Sequence, residues 1–150
     1  MHDIILHQYQ GSPFSEKIRN LLGYKGASYK VVNIPVIMPK PDLMALTGGY
    51  RKTPVMQIGA DIYCDSAIIC RVIDQLYPEK TIYPDDQEAT VGAAVHWTDT
   101  FFFKASVAMA FQPKALAQNK TFADPKVAEA FMADRAALNK GSAGLGMELS

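Results

Sequence analysis

The chain has 150 residues, 49% of them hydrophobic, and its 15 lysines and arginines are balanced by 15 aspartates and glutamates. That length buries a real core in one domain or two small ones, and the neutral balance excludes unspecific electrostatic binding to nucleic acid or to an anionic membrane. Two cysteines, Cys64 and Cys70, are too few for a disulfide-stapled scaffold. Met1-His2-Asp3 carries no charged n-region or long apolar h-region, so no secretory signal is expected. The most apolar run, Phe101 to Phe111, is interrupted by Lys104 and is too short to cross a bilayer. A soluble cytoplasmic protein is the expectation.

Residues 4–9 read as a first strand and 13–25 as a first helix, in which Ile18, Leu21 and Leu22 share one face. Ser12 is suited to cap that helix, Pro13 to occupy its first position, and Glu16 to favour its dipole. Gly26 is suited to end it in the left-handed conformation. Residues 29–34 form a second strand, stopped by Pro35; with a helix between them, the two strands pair in parallel. A loop punctuated by Pro35, Pro39 and Pro41 leads to a short helix, 42–46, and then to Thr47-Gly48-Gly49. Residues 53–58 and 62–64 make an antiparallel hairpin about a turn at 59–61, with Pro54 tolerated at the strand start and open to a cis bond. Asp65-Ser66 then opens a helix whose stripe is Ile68, Ile69, Val72, Ile73 and Leu76. The order βαβ-α-ββα describes an α+β unit with helices on a four-stranded mixed sheet.

Residues 79–87 read as a linker between a first domain, 1–78, and a helical region, 88–150. The stretch 88–111 has helical period and carries Trp97, Phe101, Phe102, Phe103 and Phe111, which read first as helix core. A further helix begins at Asp124-Pro125 and runs through Val127, Phe131 and Leu138, while 141–150 shows no periodic pattern. Two such helices cannot close a core alone.

The spacing Ser12-Pro13-Phe14-Ser15 is that of the Cys-Pro-x-Cys helix start of thioredoxin-like proteins, with serine at both cysteine positions. A hydroxyl cannot perform thiol–disulfide exchange, which disfavours a glutaredoxin-like reductase. Together with Lys52-Thr53-Pro54-Val55 before the hairpin and Asp65-Ser66-Ala67-Ile68-Ile69 at the next helix start, this motif resembles the glutathione transferase family. Its serine form is most similar to the tau class, and to the omega class with cysteine replaced by serine. The resemblance implies a thioredoxin-like N-terminal domain followed by an all-helical one. The family's helical domain normally holds five or more helices, so here it is expected to be incomplete.

The resemblance also implies roles. Ser12 would donate its hydroxyl to the glutathione sulfur, with Tyr9 as the rival and Ser15 as a third choice. Asp65 would pair with the γ-glutamyl ammonium, and Ser66 with the helix N-terminus would receive its carboxylate. Thr53, preceding Pro54, would bind the cysteinyl backbone as an added strand does. Lys52 and Lys40 would meet the glycyl carboxylate, a solvated surface role being the alternative for either, and Phe14 would line the site. Phe102, Phe103 and Phe111 would contact a hydrophobic electrophile. Arg19 reads as a surface or interface residue rather than a ligand.

Other residues read structurally. Cys64 and Cys70 are expected to be buried small hydrophobes, and the scattered His2, His7 and His96 suit no metal triad. The implied activity is conjugation of glutathione, as co-substrate and without a metal, to small hydrophobic electrophiles, with peroxidase activity as a second capability and a homodimer as the assembly. The alternative is a module of the same fold that holds glutathione or a partner without turnover.

Overall fold

The computed structural model describes residues 3–116 and 124–140, so the reading of 141–150 lies outside the described residues. The chain divides between Asp86 and Gln87 into two compact units.

In the first unit, β1 (Ile4–Gln8), β2 (Tyr29–Asn33), β3 (Val55–Ile58) and β4 (Asp61–Cys64) form one sheet in the order β2-β1-β3-β4. β1 runs parallel to β2, with Ile4 beside Tyr29 and Gln8 beside Asn33, and antiparallel to β3, with His7 opposite Val55. β3 and β4 form the expected hairpin, Val55 opposite Cys64. Three helices accompany the strands: α1 (Pro13–Lys25), α2 (Pro41–Thr47) and α3 (Ser66–Leu76). This is the thioredoxin-like α+β architecture expected from the element order.

Alternation along the strands sorts the core into two layers. Ile4, Leu6 and Met56 pack with Ile18, Leu21 and Leu22 of α1 and Ile69, Cys70 and Ile73 of α3. Val55 packs with Ile34 and Leu43 of α2, flanked by Tyr9, Tyr50, Ile62 and Cys64. The α3 stripe differs from its expected form: Cys70 joins the buried face, whereas Ile68 is 52% exposed. Positions 66, 69, 70 and 73 share the buried face, and 68 lies about 100° away from it. Gly26 ends α1 at φ 67, bonding back to Gly23 and Leu22.

The C-terminal ends of α1 and α3 are joined by a buried ion pair. Lys25 Nζ donates to Asp74 Oδ1 at 2.5 Å and to the carbonyls of Tyr77 and Lys80 at 2.7 and 2.6 Å. Asp74 also accepts from Thr81 Oγ1 and the Ile82 N–H at 2.7 and 2.9 Å. The segment after α3 is thereby fastened to the first unit.

In the second unit, α4 (Glu88–Trp97) continues through a π-helical stretch, Thr98–Phe102, into α5 (Phe103–Ala110). A short α6 (Pro113–Leu116) follows, then α7 (Pro125–Lys140), where the Asp124 carboxylate caps the Lys126 N–H at 2.9 Å. The aromatic residues are not the helix core that their period suggests: Trp97, Phe101 and Phe102 are 56%, 58% and 55% exposed. Among the described residues of this unit none is buried, because two long helices enclose too little space to dehydrate a side chain. Among the described residues no helix is long and apolar enough to cross a membrane.

Candidate functional site

The sheet register brings the sequence-predicted residues to one edge. β1 ends at Gln8, next to the start of β3 at Val55 and the end of β4 at Cys64. Tyr9 and Ser12 follow the first of these ends, Thr53 and Pro54 precede the second, and Asp65 and Ser66 follow the third. Both α1 and α3 therefore begin at this edge, with their positively polarised ends and unpaired N–H groups directed to it.

Ser12 is the N-cap of α1 and is 3% exposed. Its Oγ accepts the Ser15 N–H at 3.2 Å, which uses a lone pair and leaves the O–H as a donor. Gly11, at φ 81, makes the turn that delivers Ser12 from β1 to the helix. An open cleft of about 290 Å³ borders this point, lined by Gln10, Gly11, Ser12, Pro13, Glu16 and Arg19. Ser15 is fully buried, and its Oγ has no hydrogen-bond partner among the described residues.

Tyr9 lies just past the end of β1, not within it, and is half-buried against the Ile34, Leu43 and Val55 cluster. The Lys40 ammonium sits 5.6 Å from its ring centroid. Lys40 is only 2% exposed, which excludes the alternative of a solvated surface role, and it donates to the Arg51 carbonyl at 3.2 Å. It thus ties the loop before α2 to the loop before β3. Lys52 is exposed, and Phe14 is half-buried with the Lys17 ammonium 5.4 Å from its ring centroid.

Thr53 precedes Pro54 through a cis bond, and its Oγ1 is buried without a hydrogen-bond partner among the described residues. Asp65 is exposed, and its carboxylate caps the Ala67 N–H at 2.8 Å. It adopts φ 77, a left-handed conformation costing a non-glycine residue about 1–3 kcal/mol and concentrated at functional sites. Ser66 is 8% exposed.

Sequence reasoning missed Tyr50. It packs beside Tyr9, Ile62 and Cys64, and its hydroxyl is hydrogen-bonded to the Asp65 backbone. Burial, then the negative charge of Asp65 and, once it ionises at alkaline pH, of Cys64, pushes the phenol up to about 12, so it stays protonated beside the α3 cap. No local periodicity marks it, since it follows Gly48-Gly49 in a loop. Cys64 is half-buried, not fully buried as expected, and burial followed by the Asp65 charge raises its thiol. A protonated thiol is a poor nucleophile.

Phe102, Phe103 and Phe111 belong to the second unit. Phe102 stacks on Trp97 and Phe111 on Phe131, each at 5.6 Å between centroids, and Phe103 is half-buried.

A sheet of this order, with two helix N-termini and a serine cap at one edge, defines a thioredoxin-like domain. The family model for the glutathione S-transferase N-terminal domain matches residues 6–81, half of the chain. The protein belongs to the glutathione transferase family. It is 27% identical over 84 residues to Glutathione S-transferase U4 of Arabidopsis thaliana, covering 56% of this chain and 38% of that one. With Glutathione S-transferase omega-1 of Mus musculus it shares 31% identity over 75 residues, 49% of this chain and 31% of that one. The solved structure of a GST-like protein from Pseudomonas syringae is 43% identical, with a TM-score of 0.72 over 96% of this chain and 50% of that one. The chain thus spans about a third of these curated relatives and half of the solved one.

Proposed function

We propose that residues 1–78 bind glutathione along this sheet edge and that Ser12 holds its sulfur as thiolate for attack on small hydrophobic electrophiles. Residues 79–87 serve as linker to the helical part, 88–150. The single observation that carries the reading is the meeting, at one edge, of a hydroxyl capping α1 and the Asp65-Ser66 pair opening α3. Glutathione has an anionic group for each helix start: its sulfur for α1, its γ-glutamyl carboxylate for α3.

In this reading Asp65 pairs with the γ-glutamyl ammonium while Ser66 and the α3 N–H groups receive the carboxylate. The cysteinyl backbone lies along Thr53 and Pro54 in the manner of an added strand, where the unpartnered Thr53 Oγ1 supports a polar ligand. Lys52 and Lys40 supply positive charge toward the glycyl carboxylate, and Phe14 bounds the site. Phe102, Phe103 and Phe111 contribute apolar surface to the electrophile. Tyr9, packed into the cluster under Lys40, is the second candidate for the hydroxyl.

A free thiol ionises at about 8.5. The Ser12 hydrogen bond and the α1 dipole lower that by about two units, a differential stabilisation of about 2.7 kcal/mol. The released proton goes to solvent. The sulfur lone pair then forms an S–C bond as the bond from that carbon to its leaving group breaks, and the leaving group departs with its electron pair. With a hydroperoxide, the thiolate attacks oxygen, the alkoxide leaves and is protonated, and a second glutathione converts the sulfenic acid to disulfide and water. We place this chemistry in a cytoplasmic detoxifying homodimer.

The test is the thiol pKa of bound glutathione, read from thiolate absorbance, in Ser12→Ala and Tyr9→Phe. A rise in the first with no change in the second supports the assignment, and an unchanged value in Ser12→Ala removes it. Turnover of a chlorodinitrobenzene-type substrate, measured with glutathione affinity, separates an enzyme from a module that only binds.

A further inference from the structure

The cleft beside Ser12 contains a negative charge that opposes an anionic sulfur. Glu16 lies one turn into α1 and lines the same cleft, and its side chain is 55% exposed. Left unpaired, this carboxylate disfavours a second anion nearby. Arg19 answers it. Its Nε donates to Glu16 Oε2 at 3.1 Å, and its Nη2 donates to the same oxygen.

Arg19 is held in turn from the sheet. Its Nη1 donates to Gln8 Oε1, and Gln8 Nε2 donates to Asn33 Oδ1 at 2.9 Å. Gln8 is 2% exposed, so the guanidinium is anchored to a buried amide at the end of β1. The Arg19 side chain is only 19% exposed, more enclosed than a solvated surface arginine. Planar donors suit this double engagement, one side to Gln8 and the other to Glu16.

We propose that Arg19 is a positioning residue for the thiolate: anchored by Gln8, it neutralises Glu16 and so keeps the Ser12 cleft receptive to an anion. This rests on the reading that glutathione's sulfur sits at Ser12. Three consequences distinguish it from a purely structural role. Glu16→Gln, at an exposed position, lowers the thiol pKa of bound glutathione by about half a unit, because Arg19 is then an unopposed cation. Arg19→Met raises that pKa by a similar amount, and the rise shrinks as ionic strength increases. The double variant Arg19→Met/Glu16→Gln returns the value to that of the wild type, and Arg19→Lys returns part of it.

The experiment is thiolate absorbance against pH with saturating glutathione, at low and high salt, on the native protein and these variants, with Ser12→Ala alongside. The KM for glutathione is expected to stay within about twofold, since the proposed anchors at Asp65, Ser66 and Thr53 are untouched, while kcat at pH below the thiol pKa follows the thiolate fraction. A thiol pKa that shifts in Ser12→Ala but not in Glu16→Gln overturns the role of Arg19 and leaves Ser12 in place. No shift in Ser12→Ala overturns both. Because Glu16→Gln removes only an exposed carboxylate, the outcome stands even where Arg19→Met fails to fold.

Discussion

Lys25 and Asp74, 49 residues apart in the chain, meet at 2.5 Å with the lysine side chain only 1% exposed. The pair stitches the ends of α1 and α3, the two helices whose opposite ends face the site. Burial by itself would raise the Asp74 carboxyl, but hydrogen bonds from Lys25, Thr81 and the Ile82 N–H, with the lysine's charge, hold it below the usual range. A depressed carboxylate contributes stability that is present above its unfolded pKa, near 3.8, and is lost as pH falls through the lower folded value.

Asp74→Ala should therefore destabilise the first unit by about 3 kcal/mol at neutral pH, because it strands a buried ammonium. The variant should also lose part of the wild-type's decline in stability below about pH 4. Urea denaturation of both proteins at neutral and acidic pH checks this, and parallel pH dependences would refute it.

Ser12 has two separable functions. Ser12→Ala removes the cap as well as the hydroxyl and should cost about 1 kcal/mol of stability, whereas Ser12→Gly costs only a few tenths. Both should raise the thiol pKa of bound glutathione equally. If the two variants differ in thiol pKa in proportion to their stability, the cap and not the hydroxyl controls the sulfur.

Tyr50 should titrate late for a tyrosine. Its raised phenol contributes stability that is intact below pH 10, the ordinary value of a tyrosine, and lost as pH rises toward about 12. Spectrophotometric titration should show one ionisation phase near that value which disappears in Tyr50→Phe. The same variant should weaken glutathione binding about threefold by loosening the Asp65 backbone it contacts. Calorimetry with glutathione measures this, and an unchanged affinity would detach Tyr50 from the site.

The rings of Phe111 and Phe131 stack at an interplanar angle of 6°, pairing the end of α5 with α7. A double-mutant cycle with leucine at each position should give a coupling of about 0.5–1.5 kcal/mol. Thermal unfolding of the four proteins supplies it, and additivity would show that the stack carries no energy of its own.

Arg19 shows where sequence reading stops. From spacing alone an arginine after Ile18 looks like a solvated residue on the polar face of α1. Its partner Gln8 lies across the connection that carries Ser12, and only the turn at Gly11 brings the two together. Lys40 is a similar case: charge predicts exposure, but the loop sets its ammonium over the Tyr9 ring and gives it a carbonyl. The exposed Trp97, Phe101 and Phe102 mark the opposite error, since period identifies a helix's apolar face but not whether anything covers it.

Sequence alone determined the caps at Ser12, Gly26, Asp65 and Asp124, the hairpin, and the parallel pairing of β1 with β2, because each rests on neighbours a few residues apart. It also determined the family, through three short motifs in the right order. Tertiary structure decided that β1 lies beside β3, that both helix starts share one edge, and that Lys25, Lys40, Tyr50 and Arg19 are held in place. Those arrangements depend on partners 11 to 55 residues away, whose meeting is set by how the sheet and helices close on one core.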